Sequence, residues 1–285
     1  MLTTFQILIL AFIQGLCELL PVSSSAHVIV AEKLMGLDPS APVMTLLLVM
    51  LHTGTMFAVI VYFWKSWKRN YFSSQETFLN FAKQLSVATL CTGALGLVLK
   101  VIIEKVFMRH LPHAEVEHLF SNLPLIAIAL AAVGILMVIA GIREKKSPST
   151  LGVTARSSCW IGLVQGICLP FRGFSRSGST ISVGLLLGLP KQKVEEFSFA
   201  LAVVLTPPII LKELYRLLHQ HSMGAHEPLL PILTQSCLGM VCSFIAGLLA
   251  LRWLSQWLEK GRWKFFGFYC LFAAGVILFI HNMLP

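Results

Sequence analysis

Apolar residues run along this chain in blocks of helix length, not in the alternation of half-buried strands. Ala41–Trp64, Leu123–Ile142 and Pro228–Leu251 contain no Asp, Glu, Lys or Arg, and each reaches the roughly 20 residues a helix needs to cross hydrocarbon. Phe265–Ile280 is a fourth block and ends at His281-Asn282. Two more are less clean. Gln84–Ile103 contains Lys100, and Phe197–Leu211 is short, flanked by Glu195-Glu196 and Lys212, and interrupted by Pro207-Pro208. The pattern predicts six spans.

Two remaining apolar regions do not read as simple spans. Residues 4–37 are interrupted by Glu18, Pro21 and Ser23-Ser24-Ser25-Ala26-His27, and residues 158–190 by Pro170, Arg172, Gly173 and Ser175-Arg176-Ser177-Gly178-Ser179-Thr180. Each half is too short to cross alone. Polar, non-helical backbone at membrane depth is tolerated only inside protein or against a water-filled cavity. Both regions are therefore expected to be re-entrant helical hairpins whose tips meet inside the bundle.

The two regions also resemble each other. Ile13-Gln14-Gly15-Leu16-Cys17 reads like Val164-Gln165-Gly166-Ile167-Cys168, and the serine clusters and Gly36-Leu37/Gly188-Leu189 follow at the same offset. The chain divides into a first repeat over 1–142, a basic linker over 143–157 and a second repeat over 158–285. Each repeat is one hairpin followed by three spans. Three is odd, so the second copy is inverted in the membrane, an architecture that puts sites near the midplane at the repeat interface. The expected fold class is thus an all-α integral membrane protein with an inverted-topology repeat. Of the Lys and Arg residues, fourteen fall on one side of this arrangement and six on the other. The positive-inside rule then makes the richer side cytoplasmic and leaves both termini outside.

Composition agrees. The chain is 56% hydrophobic and 12% charged, with a mean hydropathy of +0.79, about half the charge of an average soluble domain. That excludes a soluble enzyme, a disordered chain and a disulfide-stapled secreted domain. The net charge of +9 is explained by cytoplasmic loops and calls for no nucleic acid. The seven Cys are scattered through apolar stretches, without C-x-x-C pairs, and read as small buried side chains. No basic residue precedes the first apolar run, so it is expected to remain in the mature protein.

Ionisable groups inside a membrane are functional suspects by default. Glu18, His27 and Arg176 are the foremost. Glu195, Glu196 and Glu213 lie near span ends, where snorkelling and capping are inexpensive. Small hydroxyl residues and glycines ahead of an apolar helix, with an Arg among them, suit an anion-binding nest. A buried Arg176 needs an anion. A phosphate group meets that need, and Glu18 or a backbone carbonyl across the repeat interface is the alternative. Gln14 and Glu18, four apart, share a helix face. A carboxylate, hydroxyls and an imidazole within ten residues offer a metal or proton relay, a nucleophile and an acid/base partner. His52 and its counterpart stretch Leu205-Thr206-Pro207-Pro208 are expected to unwind their spans. His110, His113, His118, His219, His221 and His226 are expected in solvated loops.

These motifs resemble those of the bacterial undecaprenyl-diphosphate phosphatase, or bacitracin-resistance protein, family. The (E/Q)-x-x-x-E and P-V-S-S-(S/T)-x-H pattern matches Gln14, Glu18 and Pro21 through His27, and P-G-x-S-R-S-x-x-T matches Gly173 through Thr180. The Glu196–Phe199 stretch is also similar. The resemblance spans essentially the whole chain. It implies hydrolysis of undecaprenyl diphosphate to the monophosphate and phosphate, recycling the lipid carrier of cell-wall precursors. It also implies a multi-pass protein of the plasma (inner) membrane, an active site facing outward, and a divalent cation, Mg²⁺ or Ca²⁺. By motif position, Ser24 is the nucleophile and Glu18 the metal-binding or proton-handling carboxylate with Gln14 as weaker partner. His27 is the acid/base or, on a rival mechanism, the nucleophile. Arg176, with Ser23, Ser25, Gly173, Ser175, Ser177 and Thr180, holds the diphosphate. Three residues depart from the pattern: Gln14 at the first acidic position, Ala26 where Gly is frequent, and Arg172 where Pro precedes Gly173.

The expected partners are a polyprenyl diphosphate and membrane lipids, with monomer or homodimer left open. A transporter or flippase of a polyprenyl phosphate or another anion would use the same phosphate-binding groups, and sequence does not separate the two.

Overall fold

The computed structural model describes residues 2–37, 42–107, 119, 122–143, 152–222 and 229–283. Among them every regular element is helical. Helices α1 (Thr4–Leu19) and α2 (Ser24–Leu34) form the first hairpin, and α3 (Pro42–Asn70), α4 (Gln75–Ile102) and α5 (Leu123–Arg143) follow it. The pattern repeats as α6 (Ala155–Cys168) and α7 (Arg176–Leu186), then α8 (Lys191–Ser222), α9 (Leu229–Glu259) and α10 (Trp263–Met283). Six helices are long and apolar enough to cross a membrane: Met44–Asn70, Gln75–Lys105, Leu123–Arg143, Lys191–Lys212, Leu233–Glu259 and Trp263–Met283. They extend beyond the apolar blocks because charged end residues continue the helix toward water. The hairpin helices, 16 and 11 residues in the first and 14 and 11 in the second, reach about 24 Å at most at 1.5 Å per residue. That is short of a bilayer core of about 30 Å.

Two expected breaks are absent. Helix α3 runs unbroken through His52, and α8 runs unbroken through Pro207-Pro208. In both segments a threonine bonds back one turn, Thr53 Oγ1 to Val49 O at 2.8 Å and Thr206 Oγ1 to Ala202 O at 2.7 Å, a bond that tends to bend a helix without ending it. His219 and His221 belong to the last turns of α8. His110, His113, His118, His226 and most of the linker 143–157 lie outside the described residues.

Part of the packing follows the repeat; α3 also packs extensively on α9, whereas the counterpart pair, α8 and α4, meets only slightly. Helix α1 lies against α9 and α6 against α4, while α3 meets α8 and α5 meets α10. A Cβ on Gly15 would strike the Ser243 carbonyl of α9, and one on Gly166 would press on the Thr92 carbonyl of α4. Gly15 and Gly166 are 151 residues apart, and so are Thr92 and Ser243. The same small-residue contact is thus made twice, bringing backbones close where apolar lipid supplies no hydrophobic drive between helices. A further close crossing joins α5 to α10 at Gly134 and Gly267, each facing the other's carbonyl oxygen.

Glu195 and Glu196 are buried rather than snorkelling. Ser255 Oγ donates to Glu195 Oε1 at 2.5 Å, and Ser66 Oγ donates to Glu196 Oε1 at 2.5 Å. They knit α8 to α9 and α3 at one end of the bundle, with hydroxyl donors meeting the need of a buried carboxylate.

Gly267→Ala should destabilise the fold by about 1–3 kcal/mol through overpacking at the α5–α10 crossing. Gly275→Ala, whose added methyl meets nothing within 4 Å, should be neutral or slightly stabilising. Thermal unfolding in one detergent checks the pair, and equal melting temperatures would remove the crossing's importance.

Candidate active site

The site begins where the two hairpins turn. Glu18 sits in the last turn of α1, and the chain reverses over residues 20–23 into α2. Ser23, the residue preceding α2, has φ +67° and makes no side-chain cap, a left-handed conformation that a non-glycine residue adopts at a cost, as strained positions near functional sites often do. The first N–H groups of α2 are therefore left without a side-chain acceptor, at the positive end of the helix dipole. The second hairpin turns over residues 169–175 into α7, whose preceding residue Ser175 caps Gly178 N–H at 3.2 Å. Gly173, at φ +101°, lets this turn sit on the Ile126 carbonyl of α5, where a Cβ would clash.

Ser24 and Arg176 are each the first residue of the second helix of a hairpin, and both bond to Glu18. Ser24 Oγ donates to Glu18 Oε2 at 2.5 Å, and Arg176 Nη2 donates to Glu18 Oε1 at 3.0 Å. The Glu18 and Arg176 side chains are only 19% and 22% exposed. Arg176 Nη1 is buried and, among the described residues, has no hydrogen-bond partner. The anion facing Arg176 is thus Glu18, and one guanidinium nitrogen is still without an acceptor.

Gln14 Nε2 donates both to Glu18 Oε2 at 3.2 Å and to His52 Nδ1 at 3.0 Å. His52 Nδ1 lies 3.7 Å from Glu18 Oε2. His52, expected only as a helix breaker, therefore belongs to the cluster. The available signal was its position in the middle of a span, the same signal that marked Glu18.

His27 stands apart from this chain of bonds. Its Nδ1 donates to Ser23 O at 2.8 Å, which leaves Nε2 as the acceptor for the Tyr269 hydroxyl at 2.8 Å. The two rings stack 5.7 Å apart at 11°. Among the described residues it makes no hydrogen bond to Ser24 or Glu18. Tyr269, in α10, had no sequence signal, being one aromatic in an apolar stretch.

The expected phosphate ligands divide. Ser23 and Ser25 hydroxyls lie 3.3 Å apart at the start of α2, and Ser175 and Ser177 hydroxyls 3.5 Å apart at the start of α7. Ser177 Oγ reaches Leu20 O at 3.5 Å, across to the first hairpin. Thr180 instead bonds Arg176 O at 2.8 Å and Ser198 Oγ at 2.6 Å. It ties α7 to α8. Ala26 is fully buried within helical α2 and has no positive φ, so glycine's freedom is not needed there.

The donor set suits a divalent cation poorly. Among the described residues no three His, Cys, Asp or Glu side chains group closely enough to hold one. Both oxygens of Glu18 already accept hydrogen bonds, from Arg176 on one and from Ser24 and Gln14 on the other. Gln14 presents a neutral amide where a second carboxylate would strengthen such a site.

The family model described as "Bacitracin resistance protein BacA" matches residues 7–277. The chain belongs to this family. It is 59% identical over 276 residues to the "Undecaprenyl-diphosphatase 2" of Acinetobacter baylyi, covering 96% of each chain. The "Undecaprenyl-diphosphatase" of Desulfosudis oleivorans is 32% identical over 292 residues, with 96% and 97% covered. The "Undecaprenyl-diphosphatase 2" of Burkholderia thailandensis is 34% identical over 291 residues, with 95% of each covered. The cluster therefore lies inside the matched region of a multi-pass BacA-family membrane protein.

Removing one member of the Glu18–Arg176 pair leaves an uncompensated charge away from water. Glu18→Gln and Arg176→Met should each cost on the order of 3 kcal/mol, and the double variant less than either single one. A double-mutant cycle by thermal unfolding checks this, and additive losses would show that the pair is not coupled.

Proposed function

We propose that the protein hydrolyses undecaprenyl diphosphate to undecaprenyl phosphate and inorganic phosphate. The site would face the periplasm in the bacterial inner membrane, with both termini on that side. The observation that supports it most is the buried Ser24–Glu18–Arg176 cluster, with an unpartnered guanidinium N–H beside an uncapped helix start. The distribution of Lys and Arg supports the orientation. The names of the relatives support the substrate, and the large apolar exterior suits a reaction whose lipid tail stays in the bilayer.

In this reading the prenyl chain remains among lipid while the diphosphate enters between the hairpin tips. Arg176 and the free N–H groups of α2 hold the distal phosphoryl, and Ser23, Ser25, Ser175 and Ser177 supply hydroxyls around it. Ser24 Oγ attacks the distal phosphorus in line. Its proton passes to Glu18 Oε2, already 2.5 Å away, and the bridging P–O bond breaks, releasing undecaprenyl phosphate. Water then attacks the phosphoserine, giving one proton to His27 Nε2 once Tyr269 swings aside. Ser24 leaves with the proton from Glu18, and inorganic phosphate departs. Phosphoryl transfer depends on positioning and charge stabilisation, and this chain supplies both from its own side chains. No step is assigned to a metal ion.

Phosphate release from undecaprenyl diphosphate by purified protein should fall about 1,000-fold or more in Arg176→Ala, the range seen when a transition-state arginine is lost. Ser24→Ala should be similarly impaired, and His27→Ala about 100-fold. Tyr269→Phe should keep most turnover. A Ser24→Ala enzyme that stays active while His27→Ala is dead would rule out serine as nucleophile. Near-native rates in Arg176→Ala would sink the site.

A further inference from the structure

His52 has no part in the steps above, yet its ring is held in a defined way. Gln14 Nε2 has two N–H bonds to give and directs one to Glu18 Oε2 at 3.2 Å and the other to His52 Nδ1 at 3.0 Å. The opposite amide orientation would set Gln14 Oε1 against the Glu18 carboxylate, oxygen facing oxygen. The carboxylate therefore fixes the amide, and the amide fixes the imidazole. A ring that accepts at Nδ1 carries its proton on Nε2. The two ring nitrogens point to diverging edges. Among the described residues Nε2 has no hydrogen-bond partner, and the side chain is 42% exposed. An N–H donor is thus held next to the Ser24–Glu18–Arg176 cluster without an acceptor among the described residues.

Charge gives that donor a use. Glu18 and Arg176 cancel, and Gln14 is neutral, so the cluster has little net charge with which to attract a diphosphate. It also suits a divalent cation poorly. Arg176 Nη1 supplies one buried donor without a partner, and His52 Nε2–H supplies a second on another element, α3. Two donors on separate elements can grip two oxygens of one diphosphate.

We propose that His52 is a further substrate-binding residue whose Nε2–H donates to a diphosphate oxygen, with Gln14 as the positioning residue that sets its tautomer. This rests on the diphosphatase reading and adds to it a reason for an amide at Gln14. A glutamate there would accept from Nδ1–H and so favour the proton on the wrong edge of the ring.

The test uses side chains that imitate one edge of imidazole. The amide nitrogen of Gln reaches the place of Nε2, whereas that of Asn reaches only Nδ1. With purified full-length protein, the inhibition constant of methylene diphosphonate against undecaprenyl diphosphate turnover should rise about tenfold or more in His52→Asn. The KM should rise with it, and kcat should change less. His52→Gln should recover most of that loss. Nitrogen-15 NMR of the His52 ring should report the Nε2–H tautomer in the wild type and its loss in Gln14→Glu. Equal inhibition constants in wild type and His52→Asn, equal losses in Asn and Gln variants of matching thermal stability, or an Nδ1–H ring in the wild type would each overturn the role of His52 while leaving the phosphatase standing. A wild-type protein that releases no phosphate would remove both.

Discussion

The ion pair between Glu18 and Arg176 joins two residues 158 positions apart, each at the turn between two helices shorter than a bilayer core is thick. Neither charge is affordable by itself away from water, so each hairpin requires the other. A pair of this kind contributes little net stability, because desolvation offsets much of the attraction. Its effect is on arrangement: it specifies where the tips meet. The Ser177–Leu20 contact and the helix crossings around the tips act in the same direction. In the proposed reaction the diphosphate that enters between the tips is held by this same Arg176.

Repetition supplies the frame and asymmetry supplies the chemistry. Ser24 and Arg176 hold equivalent places at the start of α2 and α7, and the close contacts of Gly15 and Gly166 recur at one offset. Glu18 has no acidic counterpart, since Leu169 and Pro170 stand in the second turn. One repeat thus brings the hydroxyl and the carboxylate, and the other brings the cation. A perfectly symmetric pair would place like charges together at the tips.

Much of this was legible in the sequence because membranes impose strict rules. Apolar blocks of helix length marked the six spans, and the polar clusters inside two shorter apolar regions marked the paired short helices. Glu18, Ser24 and Arg176 were visible as ionisable and hydroxyl groups at unfavourable depth. What stayed hidden depends on contacts between distant elements. His52 reads as a helix breaker until α3 is seen to run straight past Gln14. Tyr269 is one aromatic among many until it meets His27. Glu195 and Glu196 look like snorkelling ends until Ser255 and Ser66 are found against them. Thr180 matches a phosphate-binding motif, but its hydroxyl is taken by Ser198. Spacing along one helix places residues on a face, and it does not reveal which other helix that face meets.

The central claim is that the Arg176 guanidinium holds the diphosphate. Its most direct test is the affinity of a methylene-bridged, non-hydrolysable undecaprenyl diphosphate for wild type, Arg176→Met and the Glu18→Gln/Arg176→Met double variant, measured calorimetrically in one detergent. The account predicts tight binding to wild type and a loss of about 100-fold or more in both variants, including the double, where charge balance is restored but the guanidinium is not. Undiminished binding to the double variant would contradict it.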